Sequence, residues 1–364
     1  MRIVQVTPRY FPTVGGVEMV VQKISEMLVE RGNEVVVYSV DKRSSLPSVE
    51  TINGVVVKRF TALYNDPLYL PQPEFLVSLR KEEADIIHPH NIHTLPLLLA
   101  SLCRKGDQKL LLQPHYHRYG QSPLRHALFD LYKKSFYNII FSQSHAILVN
   151  SNYERQIISE DFPKAKNVLL LPEGIEVNDA KNVQHRPQEP KRILYVGVLK
   201  RYKNVHKILE GFAYLAKNGV NSFRLVIVGD GPERGLLINL ASELGISEFV
   251  DWKHGLSRQE LLSEYAAASV FVMLSPLESF SRVVYDALLI GVPAVVLNFG
   301  ALSHLVEDDF AEGVNSLAKE SVADALLKAM HKTYQRISLN TNSFLDWESY
   351  VDRLVGIYQK LLRI

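Results

Sequence analysis

Residues 269–299 read SVFVMLSPLESFSRVVYDALLIGVPAVVLNF, and the fold is decided there. The apolar run Val270–Leu274 predicts a buried strand, which Ser275-Pro276 ends. Glu278 and a short polar turn follow, then a helical pattern from about Ser281 to Leu289. Gly291-Val292-Pro293 closes that helix ahead of a second apolar run, Ala294–Leu297. The order is strand, loop, helix, strand, the repeating unit of a parallel α/β sheet. In such sheets a loop that follows a strand lies at the carboxyl edge, where ligands bind, and the next helix aims its free N–H groups at the same place. Glu278 and the amides of Phe280 to Arg282 should therefore face one ligand. Asp286 sits two turns further along the helix.

The same grammar extends in both directions. Arg2–Val6 reads as a strand, 7–16 as a loop, Val17–Arg31 as an amphipathic helix and Glu34–Ser39 as the next strand, with Gly15-Gly16 where the helix opens. The glycine pair lets backbone approach a phosphate closely, or it is merely the turn that opens a helix. A dinucleotide fingerprint is excluded, because the three-glycine spacing is missing. Thr51–Phe60 predicts a hairpin turning at Asn53-Gly54. Lys109–Leu112 and Ala146–Asn150 predict two more strands. Past 190 the pattern restarts: Ile193–Val196, a helix to about Asn218, Arg224–Val228, a helix to about Leu244, and Val250 onward. The polar, proline-containing stretch Val177–Pro190 predicts a linker. The expected division is 1–186, 187–345 and a terminal helical segment, 346–364; the length of 364 residues fits two domains.

Composition removes several function classes. A formal net charge of +2 argues against a nucleic-acid binder. The single cysteine, Cys103, excludes an intramolecular disulfide and a cysteine-based metal site, and its apolar surroundings predict packing. No apolar run approaches the ~18 residues of a spanning helix, and the chain opens directly on a strand, so the expectation is a cytoplasmic protein. His88 and His90, at i and i+2 on a strand, point the same way and could share a metal, but no third ligand accompanies them. In 122–137, Leu124, Leu128, Leu131 and Phe136 alternate with Arg125, His126, Lys133 and Lys134. That pattern fits a solvated helix face, or peripheral contact with an anionic membrane or lipid-linked acceptor.

The pattern Glu278-Ser279-Phe280-Ser281 followed by Asp286, between Ser-Pro and Gly-Val-Pro, resembles the donor-sugar motif of the retaining glycosyltransferases of group 1 (family 4). The usual form there is Glu-Gly-Phe-Gly and a second Glu. Asp85-Ile86-Ile87-His88-Pro89-His90, Pro172-Glu173-Gly174-Ile175-Glu176 and Gly229-Asp230-Gly231-Pro232 resemble further family segments. The family's Gly-Arg-Leu-x3-Lys-Gly becomes Gly197-Val198-Leu199 through Lys203-Asn204, so Lys203 is in place and Val198 stands where an arginine is usual.

The resemblance implies an α/β architecture of two facing Rossmann-like domains (the GT-B fold), a donor cleft between them that closes over its ligand, and a terminal helix crossing back. It implies a nucleotide-diphosphate sugar as donor substrate, no cofactor, no protein-bound metal, and a lipid-linked, polysaccharide or other glycan acceptor. His115, Glu278 and Lys203 would be the catalytic residues. Glu278, with Ser279 and Ser281, would hold the donor sugar. Asp286 would take the ribose diol. Lys203, Gly15, Gly16 and the amides from Phe280 to Val283 would meet the diphosphate, with Gly197 and Gly229 flanking the nucleotide and His254 and Gly255 at the base. His115 would line the sugar–acceptor junction, with His117 as the substitute. For the missing guanidinium, Arg282 is the favoured replacement, ahead of Lys200 and Arg201, because cation and helix start would converge. The departures at Val198, Ser279, Ser281 and Asp286 also fit a catalytically degenerate nucleotide-sugar or glycan-binding protein. A sugar phosphorylase or nucleotide-sugar epimerase is the third possibility.

Overall fold

The structure is a computed structural model that describes residues 1–13, 15–41, 45–120, 123–219, 222–332, 334 and 344–363, with backbone only for 123–125. The chain divides into two compact units, Met1–Gly174 with Trp347–Ile364, and Ile175–Asp346.

Unit 1 is built on eight strands: β1 (Arg2–Thr7), β2 (Glu34–Ser39), β3 (Val49–Ile52), β4 (Val55–Arg59), β5 (Ile86–Pro89), β6 (Lys109–Leu112), β7 (Ala146–Val149) and β8 (Val168–Leu170). They line up as β8-β7-β6-β5-β1-β2-β4-β3. All pairs are parallel except the β3–β4 hairpin, whose turn residues Asn53 and Gly54 both adopt positive φ (49° and 82°), the requirement of a two-residue type I′ turn. β1, β5 and β7 are buried on both faces, which is why their sequences are continuous apolar runs rather than alternating ones. Strand order reverses between β1 and β5, and the loops after those two strands diverge there. The helix Gly16–Glu30 buries Val20, Val21, Ile24 and Leu28 against the sheet. Also in this unit, the terminal helix Trp347–Leu362 packs its Trp347 so closely on Gly174 that a Cβ there would lie 2.5 Å from the indole.

Unit 2 has six parallel strands: β9 (Lys191–Val196), β10 (Phe223–Val228), β11 (Val250–Lys253), β12 (Val270–Met273), β13 (Ala294–Leu297) and β14 (Glu312–Val314). Their order is β11-β10-β9-β12-β13-β14. Counted within the unit this is 3-2-1-4-5-6, the arrangement of doubly wound nucleotide-binding sheets, with its switch point between β9 and β12. The stretch 269–299 supplies β12, the helix Arg282–Ile290 and β13, and Gly291 ends the helix at φ 91°.

Two segments differ from their sequence reading. The stretch 177–190 is not wholly loop: Val177–Lys181 is helical because Val177 and Ala180 are buried in the core of unit 2. The helix Pro123–Tyr132 runs through a π-helical turn at Lys133–Tyr137 into Asn138–Gln143, and Lys133 is no free basic group, since its Nζ lies 2.8 Å from Asp161. Residue 122 and the side chains of Leu124 and Arg125 lie outside the described residues.

Candidate functional site

At the switch point of unit 2, the loop after β9 and the loop after β12 are joined by side chains. Lys203 forms an ion pair through Nζ with Glu278 Oε1, and each side chain is little exposed, 12% and 11%. Burial works against the Lys203 ammonium, but the charge of Glu278 outweighs it and holds the lysine above its ordinary value. Asn204, in a left-handed conformation (φ 56°), follows directly and donates from Nδ2 to the Leu274 carbonyl at 2.8 Å, so the loop after β9 is anchored to the end of β12. Val198, where an arginine is usual, is 39% exposed.

The glycines here are structural in the first place. A Cβ on Gly229 would come within 1.9 Å of the Gly197 carbonyl oxygen, because Gly197 donates to Val228 and the two loops run back to back. The turn from Glu278 into the helix is tightly packed as well. Phe280 is buried with its ring stacked on Tyr285 at 4.3 Å, so its backbone rather than its side chain faces outward chemistry. Ser281 caps the helix in the left-handed region (φ 75°), where the family carries glycine, and its buried hydroxyl has no hydrogen-bond partner. Ser279, Arg282 and Val283 are partly buried at the start of the helix, and His254 and Gly255 are exposed after β11. Asp286 is buried and has a partner the sequence did not suggest: Arg258 grips both its oxygens, at 2.6 and 2.8 Å. A cavity of about 530 Å³ opens beside Arg258, lined also by Asp179, Leu262 and Ala266 but by neither Lys203 nor Glu278.

The carboxyl edge of unit 1 holds a buried network of polar side chains, most of them uncharged. Gln5 on β1 donates through Nε2 to the Tyr358 hydroxyl (3.5 Å) and accepts through Oε1 from His90 Nε2 (2.7 Å). A neutral His90 with its proton on Nε2 must then accept at Nδ1, where His115 Nε2 lies at 3.5 Å. His115 in turn presents Nδ1 to Asn150 Nδ2 at 3.1 Å and to Glu173 at 3.7 Å. Its backbone is left-handed (φ 47°) and it is 6% exposed, an unusual posture held by these partners. His88 bonds the Tyr358 hydroxyl at 2.7 Å, and burial drives its pKa down to about 3. With His88 and His90 committed to Tyr358 and Gln5, no group of three or more possible ligands that could hold a metal ion occurs among the described residues. His117 stacks on His93 at 4.2 Å and bonds the Tyr119 carbonyl. Gly15 tucks under the Glu18 carboxylate, which Arg9 neutralises at 2.6 Å, whereas Gly16 has open space at its Cβ position. Sequence reasoning missed Gln5, Asn150, Glu173 and Arg258 as site partners.

Two family profiles match the chain, "Glycosyltransferase Family 4" over residues 14–179 and "Glycosyl transferases group 1" over residues 176–343. Among curated relatives, the alpha-monoglucosyldiacylglycerol synthase of Acholeplasma laidlawii is 24% identical, over 85% of this chain and 83% of the relative. A GDP-mannose-dependent alpha-mannosyltransferase of Corynebacterium glutamicum is also 24% identical, over 88% and 77%. Among solved structures, a sucrose-phosphate synthase from Thermosynechococcus elongatus superposes with a TM-score of 0.79 at 19% identity, covering 100% of this chain and 99% of that one.

Proposed function

The chain belongs to the group 1 glycosyltransferase family and has its two Rossmann-like domains, and on that premise we propose that it moves a sugar from a nucleotide-diphosphate sugar to a lipid-linked, polysaccharide or other glycan acceptor, with retention and without bound metal. The observation that carries the proposal is the low-exposure Lys203–Glu278 pair at the switch point of a 3-2-1-4-5-6 sheet. In this reading the sugar C1–O bond breaks with its electron pair passing to the diphosphate, while the acceptor hydroxyl bonds C1 from the same face and gives up its proton to the departing diphosphate oxygen. The leaving charge meets the Lys203 ammonium and the N–H groups at the start of the helix Arg282–Ile290, preorganised donors of the kind that stabilise such charge best away from water. Arg282, at the first helical position, supplies the charge that Val198 cannot. Arg282→Ala should weaken nucleoside-diphosphate binding about tenfold. Glu278 fixes the sugar hydroxyls, Asp286 the ribose, and His115 the acceptor side.

The two relatives support the two halves of this reading, one named for a glycolipid product and the other for a nucleotide-sugar donor. Peripheral membrane contact belongs to the proposal too: Leu131, Phe136 and Ile139 are exposed near Lys134, and no helix among the described residues is long and apolar enough to cross a membrane. The test is release of nucleoside diphosphate from UDP-, GDP- and ADP-sugars with lipid and oligosaccharide acceptors, with and without EDTA, reading the anomer of the first product by NMR. Inversion, or loss of activity with EDTA, contradicts the mechanism. A second reading, binding without transfer, is favoured by the exposed Val198; stable donor binding with no turnover on any acceptor would select it.

A further inference from the structure

Asp286 is gripped in a way that bears on what it can recognise. Arg258 Nη1 lies 2.6 Å from Oδ2 and Nη2 2.8 Å from Oδ1, the parallel fork in which a guanidinium holds a carboxylate most rigidly. Arg258 is the first residue of the helix Arg258–Ala267, whose start is pinned by a capping box between Ser257 and Glu260. It therefore stands at the end of the loop that follows β11, and Asp286 stands on the helix that follows β12. The pair spans two loop systems at the carboxyl edge of the same sheet. On the Arg258 side, Nε is buried without a hydrogen-bond partner, 3.8 Å from Asp179 Oδ2. On the Asp286 side, Tyr265 donates its hydroxyl to the Val283 carbonyl at 2.9 Å and fixes the helix one turn before the acid.

We infer that Arg258 is a positioning residue for ribose recognition: by holding Asp286 in one orientation it leaves the remaining lone pair of each carboxylate oxygen for the hydroxyls of the nucleotide ribose. The inference rests on the reading given above, in which Asp286 meets the ribose. Its physical basis is threefold. A carboxylate offers about four acceptor sites, and the fork takes two of them. A fork that takes one lone pair on each oxygen also fixes the direction in which the other two point. A lone negative charge would also repel the neighbouring diphosphate, whereas the paired one is locally neutral. Aspartate is one methylene shorter than the family's usual glutamate, so a fixed orientation matters more here.

Ribo- and 2′-deoxyribonucleotides separate this role from a merely structural one. UDP and 2′-deoxy-UDP, with the GDP and ADP pairs alongside, are titrated calorimetrically into wild type, Arg258→Met, Arg258→Lys and Asp286→Asn. Wild type should prefer the ribo form by about tenfold. Arg258→Met should lose that preference while its affinity for the deoxy form stays within about twofold, and Arg258→Lys, with a point charge in place of a fork, should keep only part of it. Asp286→Asn, which preserves shape if the methionine variant misfolds, should also lose the preference. A full ribo preference in either Arg258→Met or Asp286→Asn overturns the inference, as does an equal fall for both sugars. Wild type that binds nucleotides without distinguishing ribo from deoxy sinks this inference alone, and wild type that binds none sinks the proposed function with it.

Discussion

The carboxyl edges of the two sheets solve the same problem with opposite chemistry. Unit 2 places charges there and pairs them, Lys203 with Glu278 and Arg258 with Asp286. Unit 1 fills its edge mainly with uncharged side chains, Gln5, His88, His90, Asn150 and Tyr358 among them, almost wholly buried and linked through His115, with the Glu173 carboxyl beside Asn150. A charged pair can exchange a partner for the charge of a ligand, which suits the proposed diphosphate side. A neutral network fixes one pattern of donors and acceptors and resists ionisation, which suits holding His115 in place. If that contrast is right, the two edges should fail differently.

The largest effect should come from halving a charge pair. Lys203→Met leaves Glu278, 11% exposed, without its cation, and should cost about 3–5 kcal/mol of unit 2 stability by chemical denaturation. Adding Glu278→Leu should restore most of that stability but none of the donor binding. A single variant as stable as wild type would erase the distinction between the edges.

Acid should attack unit 1 next. Burial holds His88 down to about 3 and pushes His90 and His93 well below the ordinary 6.5, so the unfolded chain takes up protons that the folded one refuses. Stability is therefore intact above pH 6.5 and falls as pH drops from 6.5 toward 3. Glu154 opposes this in part. Burial raises it from 4.5 to about 7, so its contribution is full below pH 4.5 and is lost as pH rises to about 7. Three histidines outweigh one glutamate, and the melting temperature should decline from pH 6.5 to 4.5, more steeply in Glu154→Gln. A flat profile would mean the network is not neutral.

Smaller effects sharpen the contrast. Tyr358→Phe strips a partner from both His88 and Gln5, and should cost about 1–3 kcal/mol with no change in donor affinity. Ser281→Gly should do the reverse, adding about 1 kcal/mol by relieving a left-handed serine whose hydroxyl is unsatisfied. Donor binding should survive that change, since the amides keep their places.

What the sequence displayed and what it hid divide along physical lines. Alternation of apolar runs and glycine turns exposed both sheets, and a carboxylate after one strand with a lysine after another pointed to one edge. The Lys203–Glu278 ion pair itself was not legible, since the sequence reading gave the two residues separate roles at that edge. Nor was the Arg258–Asp286 fork, because an arginine opening a helix looks like any solvated residue, and 28 positions separate it from its partner. Gln5 and Tyr358 lie 353 residues apart, and nothing local marks a tyrosine on a terminal helix as the partner of a histidine network. Ser281 differed visibly from the usual glycine, but only backbone geometry reveals that it kept the glycine's conformation.

The most direct measurement is calorimetric titration of UDP, GDP, ADP and their sugars into wild type and Glu278→Ala. One nucleotide should bind selectively, its sugar form with a distinct affinity, and Glu278→Ala should bind the nucleotide while losing all dependence on the sugar. Absence of nucleotide binding in wild type, or an unchanged sugar dependence in Glu278→Ala, would contradict the assignment of this edge to the donor.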